Sequence, residues 1–197
     1  MSNPKYSIEK SALLVIDVQD SFIGDNGERW AKRGPNPEQF EEKLTTLITT
    51  YRQAKLPIYF VLHSDEDPSF RMDSPHYKLM DFLQHQPDEP IIHKETRNAF
   101  TSTHLQRHLT QQGVQRLVIT GIQTEQCCET TTRVAADLGY DVDFVTEATQ
   151  TFPIYNPETA VSLPVADVVE RTEYALRNRF ARIATVAQIV EEIEEAA

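Results

Sequence analysis

Short apolar runs alternate with longer amphipathic segments along the chain. The runs are rich in valine, isoleucine and leucine, a composition typical of strands that are buried on both faces of a sheet. The segments between them place apolar residues three or four positions apart, which predicts helices. The predicted strands are 11–17, 57–62, 91–93, 116–121, 141–146 and 182–185. The predicted helices are 37–54, 103–112, 127–138, 157–179 with a break near Pro164, and 186–195.

The order of these elements predicts the fold class. Strands that alternate with helices are typical of the α/β class, here a three-layer α-β-α arrangement with a mainly parallel six-stranded sheet of Rossmann-like form. No repeat, linker or low-complexity tract interrupts the pattern, so we expect a single domain over residues 1–197. Segment 63–90 contains four prolines and predicts a long irregular connection, which in a compact domain usually has a functional role.

Composition and charge narrow the choice of partners. The 197 residues are 40% hydrophobic and 25% charged, and their formal net charge is -11. An acidic chain repels phosphate backbones and anionic headgroups, so we expect no nucleic acid and no membrane as a partner. The N-terminal segment lacks the apolar core of a signal peptide, and no apolar run has the length of a membrane span. We therefore expect a soluble, cytoplasmic protein that acts on a small molecule.

The two cysteines, Cys127 and Cys128, are adjacent in the chain. A disulfide between neighbours is strained and closes no useful loop, so free thiols in a reducing compartment are expected. Both thiols are either small buried packing residues or functional groups. Neighbouring helical side chains point about 100° apart, so only one of the two can face a ligand, and spacing alone does not decide which.

Reactive side chains fall at the ends of the predicted strands. Asp17 ends the first strand, His63 follows the second, Lys94 follows the third, and Cys127 comes after the fourth. In open parallel sheets, ligands bind beyond the carboxyl ends of the strands. We therefore expect these four side chains to meet at one edge of the sheet.

The chemistry of these residues fits a nucleophile and its partners. A thiol in the first turn of a helix feels the positive end of the helix dipole, which predicts a lowered pKa for Cys127 and backbone N–H groups that hold an oxyanion. Asp17 fits a general base, although an aspartate there also caps a following loop. Lys94 is either a solvated surface lysine or a charge that pairs with Asp17 and favours the thiolate.

Three sequence blocks resemble the isochorismatase-like cysteine hydrolase superfamily, which includes nicotinamidases and N-carbamoylsarcosine amidases. The blocks are LVIDVQDSF at 14–22, KETRNAF at 94–100 and GIQTEQCCETT at 121–131. The resemblance extends from about residue 11 to 148, and more weakly to 190. Each block alone is moderately specific, whereas all three in this order and spacing form a strong signal.

The resemblance implies a catalytic triad of Asp17, Lys94 and Cys127, and it selects Cys127 over its neighbour. The family commonly has a non-proline cis peptide before the conserved threonine of the third block, which here corresponds to Ile122–Gln123. That geometry implies an oxyanion hole formed by the N–H groups of Gln123 and Cys127.

The resemblance also implies a substrate pocket, with Gln19 and Phe22 bracing and lining it. We expect Trp30 and the loop after His63 to close the pocket, with His63 as a wall that hydrogen-bonds to substrate or loop. The alternative for Phe22 and Trp30 is an ordinary role in the core.

One departure from the family concerns metal binding. Nicotinamidases hold a metal through an Asp-any-His pair after the second strand, and the sequence LHSD at 62–65 lacks that order. We therefore expect no metal and no other cofactor. The alternative is an improvised metal site built from His63, Asp65, His76 and His85, which requires three or more ligands to converge.

The expected function is a cysteine hydrolase that cleaves a C–N amide-type bond of a small molecule through a thioester. True isochorismatases cleave a vinyl ether and typically lack the cysteine, so Cys127 favours carbonyl chemistry. The alternatives are a metal-assisted nicotinamidase, an isochorismatase-type ether hydrolase that uses Asp17 alone, and a non-catalytic or redox-sensing domain. Family members are usually dimers or tetramers, so the resemblance implies a homo-oligomer.

Overall fold

The computed structural model describes residues 4–196 and contains a parallel six-stranded sheet flanked by helices, which confirms the predicted α/β fold. The strands are β1 (Ser11–Ile16), β2 (Ile58–His63), β3 (Ile91–Lys94), β4 (Arg116–Ile122), β5 (Asp141–Gln150), β6 (Ile154–Asn156), β7 (Val161–Leu163) and β8 (Arg182–Ile183). The helices are α1 (Pro37–Gln53), α2 (Leu105–Gln111), α3 (Glu129–Asp137), α4 (Val165–Leu176) and α5 (Val186–Ala196). The sheet order is β3-β2-β1-β4-β5-β8.

The central strands are apolar throughout because both faces of the sheet are covered. Every residue of β1, β2 and β4 is buried. Side chains alternate across a strand, so Leu13 and Val15 of β1 pack on one side with α1 and α5, while Leu14 and Ile16 pack on the other with α2, α3 and α4. The two apolar layers hold the sheet rigidly, and the strand ends that they position are fixed relative to one another.

The order of the strands reverses between β1 and β4. The chain extends the sheet from β1 through β2 to β3 and then returns to place β4 on the other side of β1. At the carboxyl end of this pair, Gly121 lies opposite Ile16 with a φ of 120°, and an added Cβ would lie 2.0 Å from the Ile16 carbonyl oxygen. Only glycine allows the two backbones to approach this closely, and such a reversal is where α/β proteins bind ligands.

The predicted helix 157–179 is wrong over its first part. Strands β6 and β7 form an exposed antiparallel hairpin over 154–163, and α4 begins only at Val165. Pro164 precedes the helix with extended backbone. A helix from 157 could not run through it, because proline lacks the N–H such a helix needs and disfavours helical backbone at the residue before it. Branched and aromatic residues in the hairpin favour extended structure.

Smaller differences occur at element boundaries. The helix expected from residue 127 begins earlier, with a π-helical turn over Thr124–Cys128 that continues into α3. Segment 63–90 is largely irregular, as predicted, apart from β2's last residue and a short 3-10 turn at Asp81–Leu83. Within residues 4–196, none of the helices combines the length and apolar character that crossing a bilayer requires.

Candidate active site

The carboxyl ends of four neighbouring strands bring the reactive side chains to one edge of the sheet. Asp17 directly follows β1 and donates its N–H to the carbonyl of Val61 at 2.8 Å. Lys94 ends β3 and lies in register with His63, the last residue of β2. Cys127 lies in the π-helical turn that follows β4. The parallel register therefore places residues that are far apart in the chain around a single point.

Lys94 connects the acid and the thiol. Its Nζ donates to Asp17 Oδ2 at 2.8 Å and to Cys127 Sγ at 3.3 Å. Lys94 and Asp17 are 0% exposed and Cys127 is 4% exposed. Buried charges are stable only when they are paired, so Lys94 is not the solvated surface lysine that was one alternative. The structure thus brings Asp17, Lys94 and Cys127 into direct contact.

Burial controls the protonation of these groups. Burial and the Asp17 carboxylate raise the pKa of the Cys127 thiol far above its ordinary value, and Lys94 offsets only part of this. The direction is opposite to the lowered pKa expected from the helix dipole, and burial of the thiol is its largest cause. Burial alone would lower the pKa of Lys94, but Asp17 and Cys127 raise it, and the net shift is upward. These directions favour a neutral Cys127 thiol beside a protonated Lys94.

Backbone donors lie next to the thiol. The Ile122–Gln123 peptide bond is cis, as the family resemblance implied. Among residues 4–196, the Gln123 N–H has no hydrogen-bond acceptor. Cys127 lies in the first turn of its helix, where backbone N–H groups lack intrahelical partners. The positions of Gln123 and Cys127 fit the oxyanion hole expected from the sequence.

A cavity of about 270 Å³ opens beside Cys127. Phe22, His63, Phe70 and Gln123 line it together with the thiol. Its lining also includes four exposed charged residues, namely Arg29, Asp65, Asp67 and Arg97. The volume is slightly below the roughly 300–1,000 Å³ that is usual for ligand pockets, and it suits a compact substrate.

Two of the residues expected to contact substrate do not line this cavity. Gln19 is fully buried, and its Nε2 donates to Ser21 Oγ at 2.7 Å and to the His63 carbonyl at 3.0 Å. Its Oε1 accepts the His63 N–H at 2.7 Å, so Gln19 braces the end of β2 from behind. Trp30 packs against the core and under the Arg33 guanidinium, whose Cζ is 4.3 Å from the ring centroid.

His63 forms a neutral wall of the cavity. Arg97 Nη1 donates to His63 Nε2 at 2.5 Å, and Asp65 Oδ2 lies 3.1 Å from the same nitrogen. Because a guanidinium keeps its protons, we assign His63 Nε2 as the acceptor and place the ring proton on Nδ1. Burial lowers the pKa of His63, and the charge of Lys94 acts in the same direction. The neutral tautomer agrees with this direction.

Comparison with known proteins identifies the family. A family model described as the isochorismatase domain matches residues 11–191. The chain belongs to the isochorismatase family. Nicotinamidase 3 of Arabidopsis thaliana is 33% identical over 161 residues, covering 72% of this chain and 74% of the plant protein. YrdC, an isochorismatase family protein of Bacillus subtilis, is 26% identical over 184 residues, covering 92% of this chain and 95% of its own.

A solved structure supports the same assignment. An isochorismatase-family protein from Chromobacterium violaceum has a TM-score of 0.86 and 26% sequence identity, over 99% of this chain and 100% of that chain. The sequence resemblance is therefore confirmed, and this protein is an isochorismatase-family hydrolase.

In this isochorismatase-family hydrolase, the histidines considered as metal ligands do not converge. His63 and Asp65 are neighbours, but His76 Nε2 bonds to Asp25 at 2.8 Å and His85 Nε2 bonds to a backbone carbonyl at 2.9 Å. Over residues 4–196, no group of three or more His, Cys, Asp or Glu side chains is arranged to hold a metal ion. The donor set thus does not fit the metal-assisted alternative.

The two cysteines of this family member have different surroundings. Cys127 Sγ faces Lys94 and the cavity, whereas Cys128 is fully buried and its Sγ donates to the Thr120 carbonyl at 3.7 Å. Cys128 packs with the layer of residues between the sheet and α3. The geometry therefore distinguishes the two cysteines, which spacing alone did not. The Cys128 sulfur is shielded from solvent, so an oxidant in solution does not reach it in this structure.

Proposed function

We propose that this hydrolase cleaves a C–N amide-type bond of a small molecule, with Cys127 as the nucleophile. The observation that carries the proposal is the pair of contacts made by Lys94 Nζ, to the Asp17 carboxylate and to the Cys127 sulfur, at the cavity wall. A nucleophile, a base and an orienting charge in contact form the general arrangement for covalent catalysis. The name of one relative, Nicotinamidase 3, which is 33% identical to this chain, also supports amide chemistry.

In the first step, Asp17 accepts the thiol proton as the Cys127 sulfur attacks the substrate carbonyl carbon. Asp17 Oδ2 is held by Lys94, and Oδ1 has no partner within the described part of the chain, so Oδ1 is the oxygen available for the proton. Lys94 remains an ammonium and stabilises the developing thiolate. The N–H groups of Gln123 and Cys127 stabilise the tetrahedral oxyanion.

In the second step, the C–N bond breaks and Asp17 transfers its proton to the leaving nitrogen, so that ammonia or an amine departs and a thioester remains. A water molecule then attacks the thioester carbonyl, and Asp17 accepts one of the water protons. Breakdown of the second tetrahedral intermediate releases the acid, and the proton returns from Asp17 to the Cys127 sulfur. Every group is thereby restored to its resting state.

The test compares the two adjacent cysteines. A panel of small amides, ureas and carbamates is assayed for ammonia release by the wild type, Cys127→Ala and Cys128→Ala. We expect Cys127→Ala to lose at least about a thousandfold in kcat/KM, because no other thiol reaches the cavity. Cys128→Ala is the matched control and should retain activity within about tenfold, since it removes one buried sulfur that the reaction does not use.

Different outcomes identify different reactions. Full activity in Cys127→Ala would refute the proposed nucleophile. Retained activity in Cys127→Ala together with loss in Asp17→Asn would indicate the ether hydrolysis of an isochorismatase, which uses the acid alone. The requirement for a free thiol also supports a reducing, cytoplasmic setting.

A further inference from the structure

Arg29 is a charged residue of the cavity lining that the mechanism does not use. Its guanidinium carbon lies 5.0 Å from the centroid of the Phe22 ring and 4.7 Å from that of Phe152. The two rings are stacked, with centroids 5.8 Å apart and planes 19° apart. Arg29 lines the same cavity as Cys127. The rings thus fix the position of a cation close to the nucleophile.

The guanidinium donors of Arg29 have no protein acceptor. Among residues 4–196, no hydrogen bond or ion pair joins the Arg29 guanidinium to another side chain, and the carboxylates of Asp65 and Asp67 act on it only as nearby charges. The other arginines that lie over aromatic rings differ in this respect. Arg33 Nη1 donates to the Trp30 carbonyl at 3.0 Å, and Arg133 donates to the Glu129 carboxylate at 2.8 and 3.0 Å. The donors of Arg29, which is exposed at the cavity, therefore face solvent rather than the protein and are free to meet a ligand.

The nearby carboxylates are engaged elsewhere. Asp65 Oδ1 accepts the Asp67 N–H at 2.9 Å, and its Oδ2 lies 3.8 Å from Arg97 Nη1. Asp67 Oδ1 accepts the Ser69 N–H at 2.9 Å, so both acids stabilise their own loop. Arg97 is paired with His63 and Asp65, so among the described residues Arg29 is the cation of the lining whose donors have no protein acceptor.

We propose that Arg29 binds a carboxylate of the substrate, so that the preferred substrate combines an amide-type bond with a carboxylate group. A guanidinium presents donors in a planar fork that matches the two oxygens of a carboxylate, and the aromatic rings remove water from its face. The proposal names the substrate class of the Cys127 site, and it rests on the function proposed above.

The test uses two alkylating reagents that differ mainly in charge. Iodoacetate carries a carboxylate and iodoacetamide is its neutral counterpart, and both react with a cysteine thiol. In a Cys128→Ala background, the ratio of the two rate constants at Cys127 is measured with and without Arg29→Gln. We expect the ratio of iodoacetate to iodoacetamide to fall about tenfold in Arg29→Gln, because a charge-assisted hydrogen bond to the carboxylate is lost.

The matched control is Arg33→Gln, which removes the same charge from an arginine stacked on Trp30 outside the cavity. In Arg33→Gln, the ratio of the iodoacetate and iodoacetamide rate constants should stay within about twofold of that in the Cys128→Ala protein. A charge lost outside the cavity acts on the reagent only through solvent, which screens it. An unchanged ratio in Arg29→Gln, or an equal fall in Arg33→Gln, would overturn the anion site while leaving Cys127 as the nucleophile.

A second measurement keeps the two proposals separate. If Cys127 reacts with neither reagent, the proposed nucleophile fails, and calorimetry then decides the role of Arg29. Succinamate and its neutral analogue butyramide are titrated into the Cys127→Ser protein, with and without Arg29→Gln. Tighter binding of succinamate that Arg29→Gln abolishes supports the anion site, and equal or undetectable binding of the two compounds contradicts it.

Discussion

Lys94 is a fully buried lysine, and its surroundings explain how a charge is tolerated in the interior. Removing an ammonium from water costs several kcal/mol, and a close carboxylate with good hydrogen-bond geometry offsets that cost. Asp17 Oδ2 at 2.8 Å is that partner, and the Cys127 sulfur at 3.3 Å accepts a second hydrogen bond. In the proposed mechanism, the same ammonium then stabilises the thiolate during attack.

The raised pKa of Cys127 predicts how its reactivity changes with pH. An ordinary cysteine has a pKa of about 8.5, and only the thiolate is alkylated. Because burial and Asp17 raise the pKa of Cys127, the thiolate fraction at neutral pH is small and increases with pH. The alkylation rate constant with iodoacetamide should rise roughly tenfold per pH unit from about pH 7 to about pH 9 without levelling off.

Free cysteine, measured in parallel, should level off above its own pKa. A plateau for Cys127 near neutral pH would show instead that the helix dipole dominates and that the resting group is a thiolate. That result would contradict the assignment of a neutral resting thiol.

The residues of the candidate site were predictable to different degrees. Asp17, Lys94 and Cys127 each follow a strand that the apolar pattern reveals, so the parallel sheet itself implied that they meet. Gln19 and Trp30 belong to the loop after β1, where no hydrophobic period fixes the direction of a side chain. For the same reason, nothing in the sequence indicated that Arg29 lines the cavity.

At the scale of the elements, the close contact between β1 and β4 sets the geometry of the site. Gly121 ends the segment of β4 that pairs with β1, two residues before the Gln123 donor. A side chain at 121 would overlap the Ile16 backbone, directly before Asp17. Any shift of β4 away from β1 would therefore separate Asp17, the proposed base, from Gln123 of the proposed oxyanion hole.

Replacement of Gly121 by alanine tests this contact. The added Cβ would lie 2.0 Å from the Ile16 carbonyl oxygen, so the strands must separate. We expect Gly121→Ala to lower the free energy of unfolding by more than about 3 kcal/mol, or to abolish cooperative unfolding in urea. Gly139→Ala is the control, because Gly139 also has a positive φ but no heavy atom within 4 Å of an added Cβ.

Gly139→Ala should lower the free energy of unfolding by only about 1 kcal/mol, because alanine at a positive φ carries a backbone penalty but meets no clash here. Similar losses in the two variants would show that the strand contact has no special role.

The pattern of apolar residues predicted most of the fold, because the spacing that marks a helix or a strand is contained within that element's own sequence. The six strands of the sheet and the five helices followed from it, with shifts at their ends and with α4 beginning only after the predicted break at Pro164. The hairpin β6–β7 did not, since its residues are exposed and short strands without a buried face leave no alternating pattern. The π-helical turn before α3 was missed because its five residues have no sequence period distinct from that of an α-helix.

At the scale of the whole molecule, the hairpin is the main apolar feature left uncovered. Ile154, Leu163 and Val161 lie on one face of it, and they are 44%, 43% and 61% exposed. A two-stranded hairpin is at best marginally stable in water unless its apolar face packs against another surface. Because the family resemblance implies a homo-oligomer, we expect a second copy of the chain to cover this face.

Substitution of Val161 by aspartate tests whether the hairpin joins two copies. The wild type should sediment as a dimer or larger species, and Val161→Asp should sediment as a monomer, because an unpaired carboxylate in an apolar interface is strongly unfavourable. Met72→Asp is the control, since Met72 is an apolar residue of the 63–90 loop that is 63% exposed and lies outside the hairpin. A monomeric wild type, or dissociation by both variants, would contradict an interface at the hairpin. Dissociation by Val161→Asp alone would show that the apolar face of the hairpin forms part of the interface between copies.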